Sequence, residues 1–331
     1  MKRFLKIIAA LVAVLAIVYF LGPKPAAPNY NNNLIQVPSD AASLEAYVAS
    51  NEAKHQVKPD NEARIVWAND STKAKTPYVI VYLHGFSASQ EEGNPVHKNI
   101  AGQFGCNMYL ARLSEHGIDT IDPLVNMTAT SLWESAKEAY AIGKQLGDKV
   151  ILMGTSTGGT VALELASNFE DVAGLVLYSP NIAINNPSAF LSNNPWGLQI
   201  ARMVIGGKEN IIKNKPDNYK KYWNDHYRLE AVVELQELLE TTMIPSHFNK
   251  IKCPLLTLYY YKDEKNQDPV VKVSAMKEMF AAVATPANLK RMVAVPEAGN
   301  HVLASPIQSN DIVTVEKETA LFLEQIMKLK K

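Results

Sequence analysis

The chain has 331 residues, 47% of them hydrophobic and 20% charged, which is enough apolar material for one large core. Lysine plus arginine equals aspartate plus glutamate at 33 each, so no net field favours nucleic acid or an acidic partner. Nucleic-acid binding, which usually carries a basic excess, is set aside.

The N-terminus is a different kind of sequence from the rest. Met1-Lys2-Arg3 and Lys6 are basic, and Ile7 to Leu21 is an unbroken apolar run closed by Gly22-Pro23. Residues 1–21 read as a membrane anchor or a signal segment. Counting Phe4 and Leu5, the run reaches the lower end of the about 17–25 residues that a spanning helix needs. No small-x-small cleavage site follows in Tyr19-Phe20-Leu21-Gly22-Pro23, and Pro25-Ala26-Ala27 is a poor one. An uncleaved signal anchor is therefore favoured over a cleaved signal peptide. Either way the basic flank stays in the cytoplasm and the body lies outside it, secreted or periplasmic if the segment is removed. Residues 22–40, rich in Pro and Asn, read as a linker to a body at 41–331.

From residue 63 short apolar runs alternate with segments of helical spacing. The runs are Tyr78–Leu83, Asn107–Leu113, Lys149–Met153, Val172–Tyr178, Pro254–Tyr261 and Leu289–Val295. Unbroken runs, as opposed to period-two alternation, mark strands covered on both faces. Helices are expected over Ser131–Gln145, Gly159–Phe169, Val270–Val283 and about Asp311–Leu329. That alternation implies a mostly parallel sheet with helices on both faces. Residues 181–249 break the rhythm, far exceeding the usual connection of two to six residues. They read as an inserted helical cap, with helices over Trp196–Ile205 and Tyr219–Leu239; a decorated crossover away from the substrate is the plain alternative. Cys106 and Cys253 each open a different apolar run and read as two unpaired buried thiols.

One pentapeptide carries chemistry. Gly154-Thr155-Ser156-Thr157-Gly158 places a serine between glycines that let a strand turn sharply into a helix, lifting the hydroxyl clear of the sheet. The pattern alone is weak, arising by chance in about one chain in ten of this length. Its setting is not weak: Val150–Met153 leads in as a strand and Gly159–Leu163 leads out as a helix. Ser156 is thus the candidate nucleophile. His84-Gly85-Phe86 ends an earlier strand, so the Phe86 and Thr157 N–H groups are candidate oxyanion donors. His84 itself precedes the serine and reads as structural.

The base and acid must follow the serine in the order Ser, Asp or Glu, His. Of His226, His247 and His301, only His301 lies in a loop after the last strand, and it is the candidate base. For the acid, Asp268 stands just before Pro269-Val270-Val271, where it could cap the next helix; Asp263 and then Glu264 are its rivals.

With these residues in hand, the chain resembles the α/β-hydrolase superfamily, and within it the monoglyceride lipase and serine aminopeptidase group. The likeness runs from about residue 63 to the end. It rests on His84-Gly85-Phe86, Leu113-Ser114-Glu115-His116-Gly117, Gly154–Gly158, Asp268–Val271 and His301. Glu115 stands where the group has the first glycine of Gly-His-Gly, and the acid loop is longer by Asn266 and Gln267. The resemblance implies eight strands, catalysis without cofactor or metal, and a cap that sets specificity. The expected fold is thus α/β-hydrolase, an eight-stranded mostly parallel sheet with an inserted cap.

The expected activity is a serine carboxylic ester hydrolase (esterase or lipase-like) that passes through an acyl-enzyme. Its partners would be a small acyl ester and, through the N-terminal segment, a membrane, with the chain a monomer. A peptidase or amidase of the serine aminopeptidase type, or a non-catalytic binding protein on the same fold, are the alternatives. Phe190, Trp196, Tyr219 and Trp223 are aromatic enough to line a pocket and equally suited to hold the cap down.

Overall fold

The structure, a computed structural model, describes residues 1–330. In chain order its strands are β1 (Arg64–Val66), β2 (Thr76–Leu83), β3 (Asn107–Leu110), β4 (Gly147–Thr155), β5 (Val172–Tyr178), β6 (Glu209–Ile211), β7 (His226–Arg228), β8 (Leu255–Tyr259) and β9 (Lys290–Ala294). Seven form one sheet in the order β1-β3-β2-β4-β5-β8-β9; β6 and β7 make a separate antiparallel ribbon. Every neighbour in the main sheet is parallel except the β1–β3 pair.

The helices are α1 (Lys2–Phe20), α2 (Ala41–Glu52), α3 (Val96–Gln103), α4 (Ala129–Leu146), α5 (Thr157–Asn168), α6 (Gly197–Ile205), α7 (Asp217–Tyr222), α8 (Leu229–Thr242), α9 (Pro245–Phe248), α10 (Val273–Ala282) and α11 (Ile312–Gln325). The architecture is the α/β-hydrolase fold, but the expected eight strands are seven. The chain before β1, where an eighth strand would have to arise, is rich in Ala and Ser and lacks a β-branched run. It folds as α2, with the Asp40 side chain capping the Ser43 N–H.

All six expected strands are present; β2, β3, β4, β5 and β8 are buried along most of their length, whereas β9, at the sheet edge and opening on Lys290-Arg291, is half-buried. Along β2, Val79, Val81 and Leu83 enter the core under α4, α5 and α10. Ile80 and Tyr82, pointing the other way, enter the core under α3 and α11. In α4 the predicted stripe of Leu132, Ala136, Ala139 and Tyr140 is buried, and a Thr128–Ser131 capping box starts the helix. Both cysteines are free, Cys106 buried and Cys253 half-buried.

α1 is 19 residues long, apolar and exposed throughout, so it is long and apolar enough to cross a membrane. The Pro- and Asn-rich segment after it forms neither helix nor strand, yet it lies hydrogen-bonded along α4. The Trp133 indole donates to the Asn31 carbonyl at 2.8 Å, and the buried Lys137 ammonium reaches Asn31 Oδ1 and the Asn33 carbonyl. Those oxygens, together with the Glu134 carboxylate at 2.9 Å, satisfy a lysine taken out of water.

The long insertion between β5 and β8 departs from expectation in one respect. The stretch 219–239 is two helices, not one: α7 ends at Tyr222, and β7 intervenes before α8. Trp223-Asn224-Asp225 leaves the helix because its backbone is used elsewhere. The Asn224 N–H donates to the Ser87 carbonyl at 2.8 Å, and the Asp225 carbonyl accepts from Ile212 N–H at 2.7 Å. The first bond fastens the insertion to the loop that follows β2, and the second ties the insertion to itself.

Candidate active site

The strand-to-helix turn at Ser156 is sharp for reasons visible in its neighbours. Ser156 has φ +52° and ψ −117°, a backbone state that costs about 1–3 kcal/mol and persists only when the surroundings impose it. Here the Ser156 N–H donates to the Tyr178 carbonyl, and the Ser156 carbonyl accepts from Asn181 and Thr160. The two motif glycines leave no room for side chains. A Cβ on Gly154 would stand 2.6 Å from the Gly158 carbonyl carbon, and one on Gly158 would run into the Leu83 carbonyl. The first turn of α5 is thereby pressed against the end of β2.

That contact brings the two candidate oxyanion donors into one region. Thr157 is the first residue of α5, where N–H groups have no partner inside the helix and the dipole favours negative charge. Among the described residues neither the Thr157 nor the Phe86 N–H meets a protein acceptor. His84 is buried, and its Nε2 accepts the Leu113 N–H at 3.0 Å. Nδ1 therefore carries the proton and donates to the Gly85 carbonyl at 2.9 Å. Burial, reinforced by the neighbouring His116, holds the His84 pKa well below 6.5, so the ring is neutral and structural.

Asp268 and His301 meet. His301 Nδ1 lies 2.7 Å from Asp268 Oδ2, and Asp268 Oδ1 accepts the Val270 and Val271 N–H groups at 2.8 and 3.0 Å. The aspartate thus caps the turn ahead of the helix, and α10 begins at Val273 where Val270 was expected. Burial favours a neutral carboxyl, but His301 and the two N–H groups outweigh it and hold Asp268 below 3.8. Burial likewise pulls His301 down, yet the Asp268 charge raises it above 6.5. His301 Nε2, the far side of the ring, is buried with no hydrogen-bond partner among the described residues.

The rivals lie elsewhere. Asp263 is exposed and binds Asn266 and the Lys265 N–H within its own loop, which a Tyr261–Gln267 bridge closes. The added residues of the acid loop form this excursion and return the chain to Asp268. Glu264 bonds the Tyr261 hydroxyl. His226 pairs with Asp225, and His247 with the buried Glu164 on α5. Tyr219 and Trp223 stack at 5.2 Å in a small core with Ala88 and Val302, whereas Phe190 and Trp196 are exposed.

Two residues escaped the sequence reading. Tyr227 packs edge-on against Phe86 at 4.9 Å and lines a cavity of about 400 Å³ with Leu191, Ile200, Val204 and Leu229. Glu92, buried beside Gly85, belongs to no motif. No group of three His, Cys, Asp or Glu is arranged to hold a metal among the described residues.

A family model described as serine aminopeptidase, S33 (Hydrolase_4), matches residues 129–301, more than half of the chain and all of Ser156, Asp268 and His301. The chain belongs to this family. It is an esterase/lipase-like α/β-hydrolase. The S33-family chain is 28% identical over 196 residues to the thermostable monoacylglycerol lipase of Bacillus sp. (strain H-257), covering 58% of itself and 72% of that lipase. It is 23% identical over 301 residues to Protein PHYLLO, chloroplastic, of Arabidopsis thaliana, spanning 84% of itself but only 17% of that longer protein. A structure solved in work on LipS and LipT, two metagenome-derived lipolytic enzymes, superposes with a TM-score of 0.63 at 18% identity. It covers 82% of this chain and 100% of that one, which shows the fold.

Proposed function

We propose that the protein hydrolyses carboxylic esters through an acyl-enzyme formed on Ser156. His301 Nε2 takes the hydroxyl proton as the serine oxygen attacks the acyl carbonyl. Asp268 holds the ring in the required tautomer and stabilises the imidazolium, and the Phe86 and Thr157 N–H groups receive the oxyanion. His301 then protonates the leaving alcohol, and a water activated by the same ring releases the acid. The observation that carries this reading is the Asp268–His301 bond at 2.7 Å with Nε2 buried and unpartnered, in a chain whose elbow serine sits at φ +52°.

The mostly apolar cavity is separated from the Phe86 loop by Tyr227 and suits an acyl chain that passes this ring, and the relative named a monoacylglycerol lipase points the same way. The substrate class is therefore an acyl ester of the monoacylglycerol kind. Hydrolysis of p-nitrophenyl acetate and butyrate tests the mechanism: activity surviving intact in Ser156→Ala sinks it. The family description favours a second reading, an aminopeptidase, since the same machinery cleaves amides. Aminoacyl-naphthylamides assayed beside short-chain esters decide between them.

Segmental roles belong to the same reading. Residues 1–21 act as a signal anchor, 22–40 join it to a catalytic body at 41–331, and 181–249 cap the site. Recovery of the full chain in the soluble fraction, without detergent, would remove the anchor from this scheme.

A further inference from the structure

Glu92 sits in the short 3-10 turn Gln90–Gly93 between β2 and α3, and only 2% of it is exposed. The reaction proposed above makes no use of it. Its Oε2 accepts the Gly85 N–H at 2.5 Å. A Cβ placed on Gly85 would stand 2.9 and 3.0 Å from the two carboxyl oxygens and 3.0 Å from the Ser156 Cβ. Carboxyl, glycine backbone and nucleophile therefore share one small volume, and this close approach is why residue 85 is glycine.

Gly85 is gripped from both sides. Glu92 holds its N–H, and the His84 Nδ1–H holds its carbonyl. The peptide that carries the Gly85 carbonyl also carries the Phe86 N–H, so a plane locked at Gly85 fixes where Phe86 aims. From the cap, the Trp223 side chain also interacts with the Glu92 carboxyl.

We propose that Glu92 is a positioning residue of the acyl-transfer site: it clamps the Gly85 N–H so that the Phe86 N–H stays aimed at the oxyanion. This rests on the acyl-transfer reading of Ser156. A buried acid in this place also has an electrostatic signature. Burial raises the Glu92 pKa to about 7, countered by the Gly85 N–H, His301 and Trp223. Its charge in turn favours the protonated form of His301, and Tyr82 and Tyr219 feel it as well. Where Glu92 is ionised, His301 holds its proton more tightly.

The test compares p-nitrophenyl butyrate kinetics and fluorophosphonate labelling in the full-length protein, Glu92→Ala, Glu92→Gln and Ser156→Ala. Glu92→Ala should lose about 10- to 100-fold in kcat with KM within about twofold, the cost of a misaimed donor. Glu92→Gln keeps an amide oxygen for the Gly85 N–H and should recover most of that loss. Its acid limb of kcat/KM should move to lower pH by about half a unit, because the charge favouring the imidazolium is gone. A merely structural role would leave that limb in place. An alanine variant with wild-type kcat, or a glutamine variant that recovers none of the alanine loss, overturns the proposal. If the alanine variant does not fold, Glu92→Leu takes its place in the same comparison. Activity retained by Ser156→Ala would instead overturn the parent reading, and this proposal with it.

Discussion

The carboxyl end of the sheet and the insertion after β5 are built on different principles. At the sheet end, backbone touches backbone: Gly158 is packed on the Leu83 carbonyl, and the Ser156 turn is held by Tyr178, Asn181 and Thr160. Ser156, Thr157, His84 and Asp268 are all buried. In the insertion a few backbone bonds, such as Asn224 to Ser87 and Arg228 to Pro123, are joined by side-chain packing, and many apolar side chains face outward. Met203 and Val204 are 76% and 77% exposed, and Phe190 and Ile211 are more than half exposed. The first region tolerates almost no change of shape, because interiors are close-packed and strain is transmitted. The second can be re-lined without disturbing the first. On the proposed function, chemistry would rest on the first region and preference on the side chains of the second.

Changes to the sheet end should be severe. Ser156→Ala and His301→Ala should each lower kcat for p-nitrophenyl butyrate by about four orders of magnitude or more, and the double variant should be little worse. Additive losses would mean that the two do not act as a unit. Asp268→Asn should lose about 10³- to 10⁴-fold while folding normally, since the ring loses its orienting acceptor. Turnover of Asp263→Asn should stay near wild type; a large loss there would return the acid assignment to that loop.

Gly158→Ala probes the same region through stability. With no room for a methyl beside the Leu83 carbonyl, urea unfolding should show about 3 kcal/mol or more of destabilisation, and an unchanged midpoint would contradict the packing described. A pH profile sharpens the electrostatics. The proposed mechanism needs the base form of His301, and Asp268 holds its pKa above 6.5, so kcat/KM should rise with pH and reach half its plateau above pH 6.5. A limb centred below that value would show that Asp268 does not govern the ring.

The smallest effects should come from the cap. Tyr227→Ala or Val204→Ala should alter the ratio of butyrate to acetate turnover by less than about tenfold, leaving acetate kcat close to wild type. If either costs as much on acetate as Asp268→Asn, the division between the two regions fails.

How much of this was legible beforehand follows from the same division. The six strands, the elbow serine and the Phe86 loop could be read from runs and short motifs, because these are local patterns, and the candidate acid and base came from the chain order that the resembled fold implies. The β1 edge strand escaped because three residues carry no pattern. The break of 219–239 into α7, β7 and α8 escaped because Asn224 and Asp225 leave the helix for partners at Ser87 and Ile212, distant in sequence. The choice between Asp268 and Asp263 stayed open in the sequence, since both follow β8 and only the fold brings one of them to His301.

The sequence by itself determined the alternation of strand and helix, the Gly-x-Ser-x-Gly turn, and the chain order of the residues that could act on it. Those features arise from hydrophobic period and from glycine's freedom, which neighbours along the chain decide. The tertiary structure decided that Asp268 reaches His301, that Tyr227 meets Phe86, and that Glu92 grips Gly85. The physical reason is that a buried polar group must find its partner wherever the fold provides one. Glu92 is seven residues from Gly85 and far along the chain from His301, and no spacing rule connects the three. Only packing puts them in one volume.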